Sequence, residues 1–183
     1  SGCGECARAC AFHALLPLKD RVMVMPELCH SCGLCVEVCP ERALEERSRR
    51  LGLLRHGRAG QVGFVSGLLD VGEARATPLV AAVVEALPPA VVQVVDAPPG
   101  ASCSAMAAVK DADLVLLVTE PTTFGLHDLE IVAAMCRALG RRVMVVVNRS
   151  DLGEAPVEKT LGALGLPLLA SIPFDPQIAR LGA

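Results

Sequence analysis

The sequence predicts an α/β protein, a mostly parallel sheet flanked by helices, with a small α+β cysteine-rich module at its N-terminal end. Three observations carry this. From Arg47 onward, Val-rich runs alternate with Ala/Leu-rich amphipathic runs at strand and helix lengths, the pattern of a helix-covered parallel sheet. Hydrophobic residues make up 52% of the chain and aromatics only 2%, with no Trp or Tyr, so the core must be built from Val, Leu, Ala and Ile, as in strands buried on both faces. Seven of the nine cysteines fall before Pro40, which sets residues 1–46 apart as one domain from residues 47–183 as another. A chain of 183 residues is long enough for one good core and such an appended module.

Within the first domain, Cys29-His30-Ser31-Cys32-Gly33-Leu34-Cys35-Val36-Glu37-Val38-Cys39-Pro40 has the spacing C-x2-C-x2-C-x3-C-P. This is the bacterial ferredoxin run for a [4Fe–4S] cluster, whose fourth cysteine ligates the other cluster in two-cluster proteins. Three thiolates on one tight loop reach three irons of a cube, while the fourth points elsewhere. Cys3-Gly4-Glu5-Cys6-Ala7-Arg8-Ala9-Cys10 repeats Cys32 to Cys39 position for position, 29 residues earlier, with a strand candidate at Arg21–Met25 between the copies.

An exchange of fourth ligands gives one complete set, Cys10, Cys29, Cys32 and Cys35, and one set of three, Cys3, Cys6 and Cys39. By register the missing cysteine would stand just before Ser1, so a fragment of a longer protein is expected; a three-iron cluster or an empty second site are the alternatives. Paired C-x2-C spacings also serve tetrahedral zinc, which stands as the competing reading. His30 is read as a loop residue, with a hydrogen bond to sulfur as its functional alternative.

Clustered cysteines at metal-ligand spacings fit a reducing compartment better than a disulfide scaffold. No stretch has the pattern of a signal peptide, and no apolar run approaches the ~20 residues of a membrane span, so a cytoplasmic protein without a transmembrane segment is expected. The net charge of −3 gives no reason to expect nucleic acid. Arg47, Arg49, Arg50, Arg55 and Arg58 form a basic run, read as a solvated hairpin face with a partner-docking patch as the alternative.

In the second domain the expected elements are strand candidates at 61–65 and 68–71 broken by Gly67, and a helix at 77–87 with Thr77 as N-cap and Pro78 at its first position. Next come strand 91–95, helix 102–109, strand 114–118, helix 126–139, strand 143–147, helix 157–164, strand 168–172 and a helix from about Pro176. Ligands of such sheets bind at the carboxyl ends of the strands. Those ends read Asp96-Ala97-Pro98-Pro99-Gly100, Thr119-Glu120-Pro121-Thr122-Thr123-Phe124-Gly125, Asn148-Arg149 and Pro173-Phe174-Asp175. An acid closing an apolar strand is where nucleotide-hydrolysing proteins hold Mg²⁺, although Asp with Pro and Gly also makes ordinary turns.

Together with Leu126-His127-Asp128-Leu129 and Ile172, these strand ends resemble the MinD/Mrp superfamily of deviant P-loop ATPases, in the branch with an inserted ferredoxin domain. The resemblance implies a fold like that of the nitrogenase iron protein, ATP with Mg²⁺, two [4Fe–4S] clusters and a homodimer. It implies Asp96 as the Mg²⁺-linked acid, Gly100 as γ-phosphate sensor in a switch loop, Asn148 with Arg149 at the adenine, and Pro173, Phe174 and Asp175 as the wall beside the base. The departure is that Lys19, Lys110 and Lys159 are the only lysines and none follows glycine, so the phosphate-binding loop is absent. ATPase activity is therefore expected of a longer protein and not of this chain.

The functional expectation is an iron–sulfur protein coupling nucleotide state to electron transfer or cluster delivery to an acceptor protein. The rivals are a non-enzymatic redox module on an inactive ATPase scaffold and a cluster-assembly carrier. Cys103 is either a thiol activated at a helix start or a packing residue. Cys136 beside Met135 reads as core. His127 and Asp128 are neighbours that do not face one another on a helix, so capping or a local hydrogen bond is favoured over proton transfer.

Overall fold

The computed structural model describes residues 2–153 and 155–181. The chain divides into two compact units, 1–79 and 80–183.

The first unit begins with two short helices, α1 (Glu5–Ala9) and α2 (Leu34–Glu37), separated by an antiparallel pair, β1 (Leu15–Pro17) and β2 (Val22–Val24), in the register Leu15↔Val24. The sequence repeat is reproduced in the backbone. Gly4 and Gly33 both precede their helices in the left-handed region, at φ 74° and 76°, where a Cβ would be strained. Arg8 N–H donates to the Gly4 carbonyl as Glu37 N–H donates to that of Gly33. Likewise His13 N–H donates to the Cys10 carbonyl as Arg42 N–H donates to that of Cys39, and His13 and Arg42 share a positive φ.

After the repeat, β3 (Gly52–Ala59) and β4 (Val62–Leu69) form an antiparallel hairpin running in unbroken register from Gly52↔Leu69 to Ala59↔Val62. Gly60 turns it at φ 59°, and the Phe64 ring lies over Gly57, where a Cβ would stand 2.0 Å from the ring. The expected break at Gly67 does not occur, because Gly67 pairs with Leu54 inside the ladder. The Arg47–Arg58 run supplies the approach and first strand of this hairpin. It belongs to the first unit, whereas the composition change places it with the second. Arg50 closes its base by an ion pair to Asp70 at 2.9 Å.

Only Cys6, Ala14 and Leu15 are buried hydrophobic residues in this unit among those described. So small a core requires a covalent or metal staple.

The unit boundary falls within α3 (Thr77–Glu85). The second unit continues with α4 (Cys103–Val109), β5 (Leu114–Thr119), α5 (Thr123–Ala138), β6 (Arg142–Asn148), α6 (Val157–Leu164), β7 (Leu168–Ile172) and α7 (Pro176–Leu181). Its sheet is parallel, in the order β5-β6-β7, with an irregularity where Val145 pairs with Leu168 but Val146 with Ala170. Ser102 caps α4 by accepting from Ala105 N–H, and Thr122 caps α5 by accepting from Gly125 N–H. Val115 and Leu117 of β5, Val145 and Val147 of β6, Leu126, Leu129, Ala133 and Cys136 of α5, and Leu161 of α6 form one core.

Two expectations are corrected here. Val91–Val95 is not a strand: Val91, Val92 and Val94 are exposed, and no ladder partner meets them among the described residues. The apolar pattern is local, but a strand exists only when a second strand satisfies its backbone. The sheet is also not covered on both faces. β5 alternates, with Val115, Leu117 and Thr119 buried and Leu114, Leu116 and Val118 exposed.

Candidate metal centre

Cys10, Cys29, Cys32 and Cys35 line a single cavity of about 300 Å³ in the first unit, so one thiol comes from the first repeat and three from the second. Cys32 directly precedes the left-handed Gly33, and Cys35 lies in the α2 turn that follows it. Cys10 arrives from the end of α1. Cys3, Cys6 and Cys39 do not line this cavity; Cys6 is buried, Cys3 exposed and Cys39 half-buried. All nine cysteines are free thiols.

Backbone N–H groups face the sulfurs. Ala14 N–H approaches Cys10 Sγ at 3.4 Å, Ser31 N–H approaches Cys29 Sγ at 3.4 Å, and Ala43 N–H approaches Cys39 Sγ at 3.3 Å. The first and last occupy equivalent positions of the repeat. Burial pushes the Cys35 thiol up, and the neighbouring Cys29 and Cys32 add to the shift. Deprotonated thiols crowded this way need a cation between them.

The donor set fits an iron–sulfur cluster. Four thiols lining one cavity suit a group that presents several irons, and the N–H donors match the sulfur hydrogen bonds such clusters use.

The rest of the cavity wall is partly apolar and partly charged. Phe12 and His30 stack with ring centres 3.8 Å apart and planes 9° from parallel, both at the cavity. Opposite chemistry comes from Arg49, part of the basic run, and from Glu73 and Arg75, which the sequence does not single out. Arg49 and Arg75 line the cavity, and both pair with Glu73, whose side chain is only 6% exposed. Arg75 donates its Nε to Glu73 Oε1 at 3.1 Å and its own backbone N–H to the same oxygen at 2.9 Å. Its Nη1 donates to Oγ of Ser31, which stands between Cys29 and Cys32 in the sequence. The backbone N–H of Arg75, then its guanidinium and that of Arg49, hold the Glu73 carboxyl below the usual carboxylate range. No local signal in Val71-Gly72-Glu73-Ala74-Arg75 marks this role, since the contact spans 44 residues.

In the second unit the carboxyl ends of β5, β6 and β7 gather a different set. Arg149, at φ 49°, places Nη1 3.5 Å from Glu120 Oε1 and its guanidinium carbon 5.9 Å from the Phe174 ring centre. Asp151 Oδ1 accepts from Phe174 N–H at 2.6 Å. Asn148 ends β6 half-buried, and Asp175 Oδ1 accepts from Gln177 N–H at the start of α7. Pro173 is exposed beside them.

Asp96 and Gly100 are not brought into this set. Asp96 lies exposed in the irregular segment that replaces the expected strand, and Gly100 is an exposed left-handed turn residue at φ 75°. The pairing of Asp96 with a strand end therefore fails with that strand. Cys136 is fully buried in the core, and Cys103 is exposed at the start of α4. Among the described residues, no helix is long and apolar enough to cross a membrane.

The chain is 28% identical over 181 residues to the uncharacterized protein MJ0578 of Methanocaldococcus jannaschii, covering 98% of this chain and 61% of that one. It is 23% identical over 173 residues to the uncharacterized protein MJ0579 of the same organism, covering 93% and 60%. The chain thus spans about three fifths of the length of the curated relatives it matches. Residues 22–45, which hold Cys29, Cys32, Cys35 and Cys39, match the family model of the 4Fe-4S binding domain, and the chain therefore contains a binding domain for at least one such cluster.

Proposed function

We propose that this chain is an electron carrier, with one [4Fe–4S] cluster on Cys10, Cys29, Cys32 and Cys35 and a second on Cys3, Cys6, Cys39 and one further ligand. The observation that carries the reading is the shared cavity wall of four thiols drawn from both halves of the repeat. When bound, a cluster supplies one-electron chemistry. The chain's own residues hold the thiolates, direct N–H dipoles at sulfur and cover the site with Phe12, His30, Leu15 and Val24. Exposure and sulfur hydrogen bonds are the levers that set such potentials. For the second set, the support is the repeat itself: Cys39 Sγ receives Ala43 N–H as Cys10 Sγ receives Ala14 N–H.

The test is repeated anaerobic reduction and reoxidation in the presence of an apo-acceptor protein. An electron carrier keeps its clusters through the cycles; iron and sulfide appearing in the acceptor would make it a cluster-assembly carrier instead.

A second reading adds nucleotide coupling, and the gathering of Glu120, Arg149 and Phe174 at one edge of a parallel sheet favours it. In this reading ATP and Mg²⁺ act in a longer protein, working as a cytoplasmic homodimer with a redox partner, and Asp96, Gly100, Asn148 and Pro173 to Asp175 move to nucleotide when it binds. Electron-transfer rates of the longer protein that are indifferent to ATP would remove it.

A further inference from the structure

The Arg49–Glu73–Arg75 network joins the base of the β3–β4 hairpin to the cysteine loop, and neither the repeat nor the ligand set explains it. Arg75 is held at Glu73 by two hydrogen bonds, one from its side chain and one from its backbone, and is only 15% exposed. Such a fixed, half-buried guanidinium keeps its charge in place, unlike a surface arginine. Its Nη1 then reaches the hydroxyl of Ser31, which stands between Cys29 and Cys32 in the sequence and whose N–H faces Cys29 Sγ. The guanidinium and the four thiols line the same cavity.

We propose that Arg75, oriented by Glu73, is a positioning residue of the cluster site that locks the Cys29–Cys32 loop through Ser31 and raises the reduction potential by its charge. The inference rests on the cluster assignment above. On reduction the site takes one electron from a one-electron donor; no bond is made or broken, no proton moves, and the net charge falls by one. A fixed cation beside the site favours that more negative state. Arg47, Glu45 and Glu46 also line the cavity, and with Glu73 behind Arg49 and Arg75 the charges there balance, so removing the Arg75 charge or the Glu73 charge tips that balance in opposite directions.

Arg75 and Glu73 therefore act with opposite signs on the potential, although both hold the same structure together. The experiment reconstitutes the chain anaerobically and titrates it with dithionite, following the reduced cluster by electron paramagnetic resonance. Arg75→Gln is expected to lower the potential, Glu73→Gln to raise it, and Arg75→Lys to stay near the wild-type value because the charge is kept. Ser31→Ala is expected to speed cluster loss to a chelator while moving the potential less than Arg75→Gln does.

Shifts of Arg75→Gln and Glu73→Gln in the same direction, or no shift in either, would overturn the proposal and leave the cluster assignment intact. If Arg75→Gln fails to load, Glu73→Gln against Arg75→Lys decides, and a potential for Glu73→Gln at or below that of Arg75→Lys overturns it. A wild-type chain that takes up no iron and sulfide overturns both.

Discussion

Replacing Gly33 by alanine isolates what the C-x2-C-x2-C loop requires of its backbone. Gly33 sits at φ 76° between Cys32 and the first residue of α2. A Cβ there would meet Glu46 Oε1 at 3.5 Å, an ordinary contact, so space adds no penalty. The whole cost is conformational, about 1–2 kcal/mol for an L-residue forced into the left-handed region. That corresponds to a ~5–30-fold change in an opening equilibrium. If cluster loss to a chelator proceeds through opening of this loop, Gly33→Ala should accelerate it by about that factor.

Asn tolerates the left-handed region better than alanine, so Gly33→Asn should recover a large part of the loss. The assay is the decay of the visible cluster absorption under excess chelator in anaerobic buffer. Decay of Gly33→Ala at the wild-type rate, or Gly33→Asn decaying as fast as the alanine variant, would refute the reasoning.

Other consequences follow from burial and backbone geometry. Leu129 is 4% exposed in the α5 core, and Leu129→Ala should destabilise the second unit by about 2–5 kcal/mol in urea unfolding with the slope unchanged. Gly162 lies inside α6 with nothing within 4 Å of a Cβ, so Gly162→Ala should stabilise the same unit, by about 0.5–1 kcal/mol. Because Glu73 titrates below its unfolded value, its contribution is complete above the ordinary glutamate range and disappears as pH falls through the lowered pKa. Wild type should therefore outlast Glu73→Gln in cluster retention at neutral pH, with the ratio of their decay rates approaching one in acid; a ratio independent of pH would contradict this.

What could be read in the sequence divides along physical lines. Cluster ligation dictates the spacing around Cys29–Cys39, and a repeat of 29 residues is visible because each half needs the same helix start and the same turn after its last cysteine. Gly4 with Gly33 and His13 with Arg42 show that the copies share backbone as well as letters. The elements from Leu114 to Ile172 were legible because strand and helix periods differ, although α5 starts at Thr123 behind the Thr122 cap and not at the expected residue 126.

Val91–Val95 misleads because an apolar run reports a wish for burial, while strand formation depends on a partner elsewhere. β3 is absent from the strand candidates for the opposite reason, although its arginines read as a hairpin face. With Gly52, Arg55, Gly57 and Arg58 it lacks a strand's composition, and only its pairing with β4 makes it one. Arg75 could not be found at all from local pattern, since its partner Ser31 is remote in sequence. Joining Cys10 to Cys29, Cys32 and Cys35 was available only through the repeat, and in the fold the four line one cavity.

The most direct test of that grouping is the iron and acid-labile sulfide content of the anaerobically reconstituted chain, measured for wild type and Cys10→Ala. The account predicts about four irons and four sulfides for the cavity site in wild type, and the loss of that complement in Cys10→Ala although residue 10 lies outside the matched 4Fe-4S segment. A Cys10→Ala chain that retains the full complement, or a wild type that binds zinc without sulfide, would contradict it.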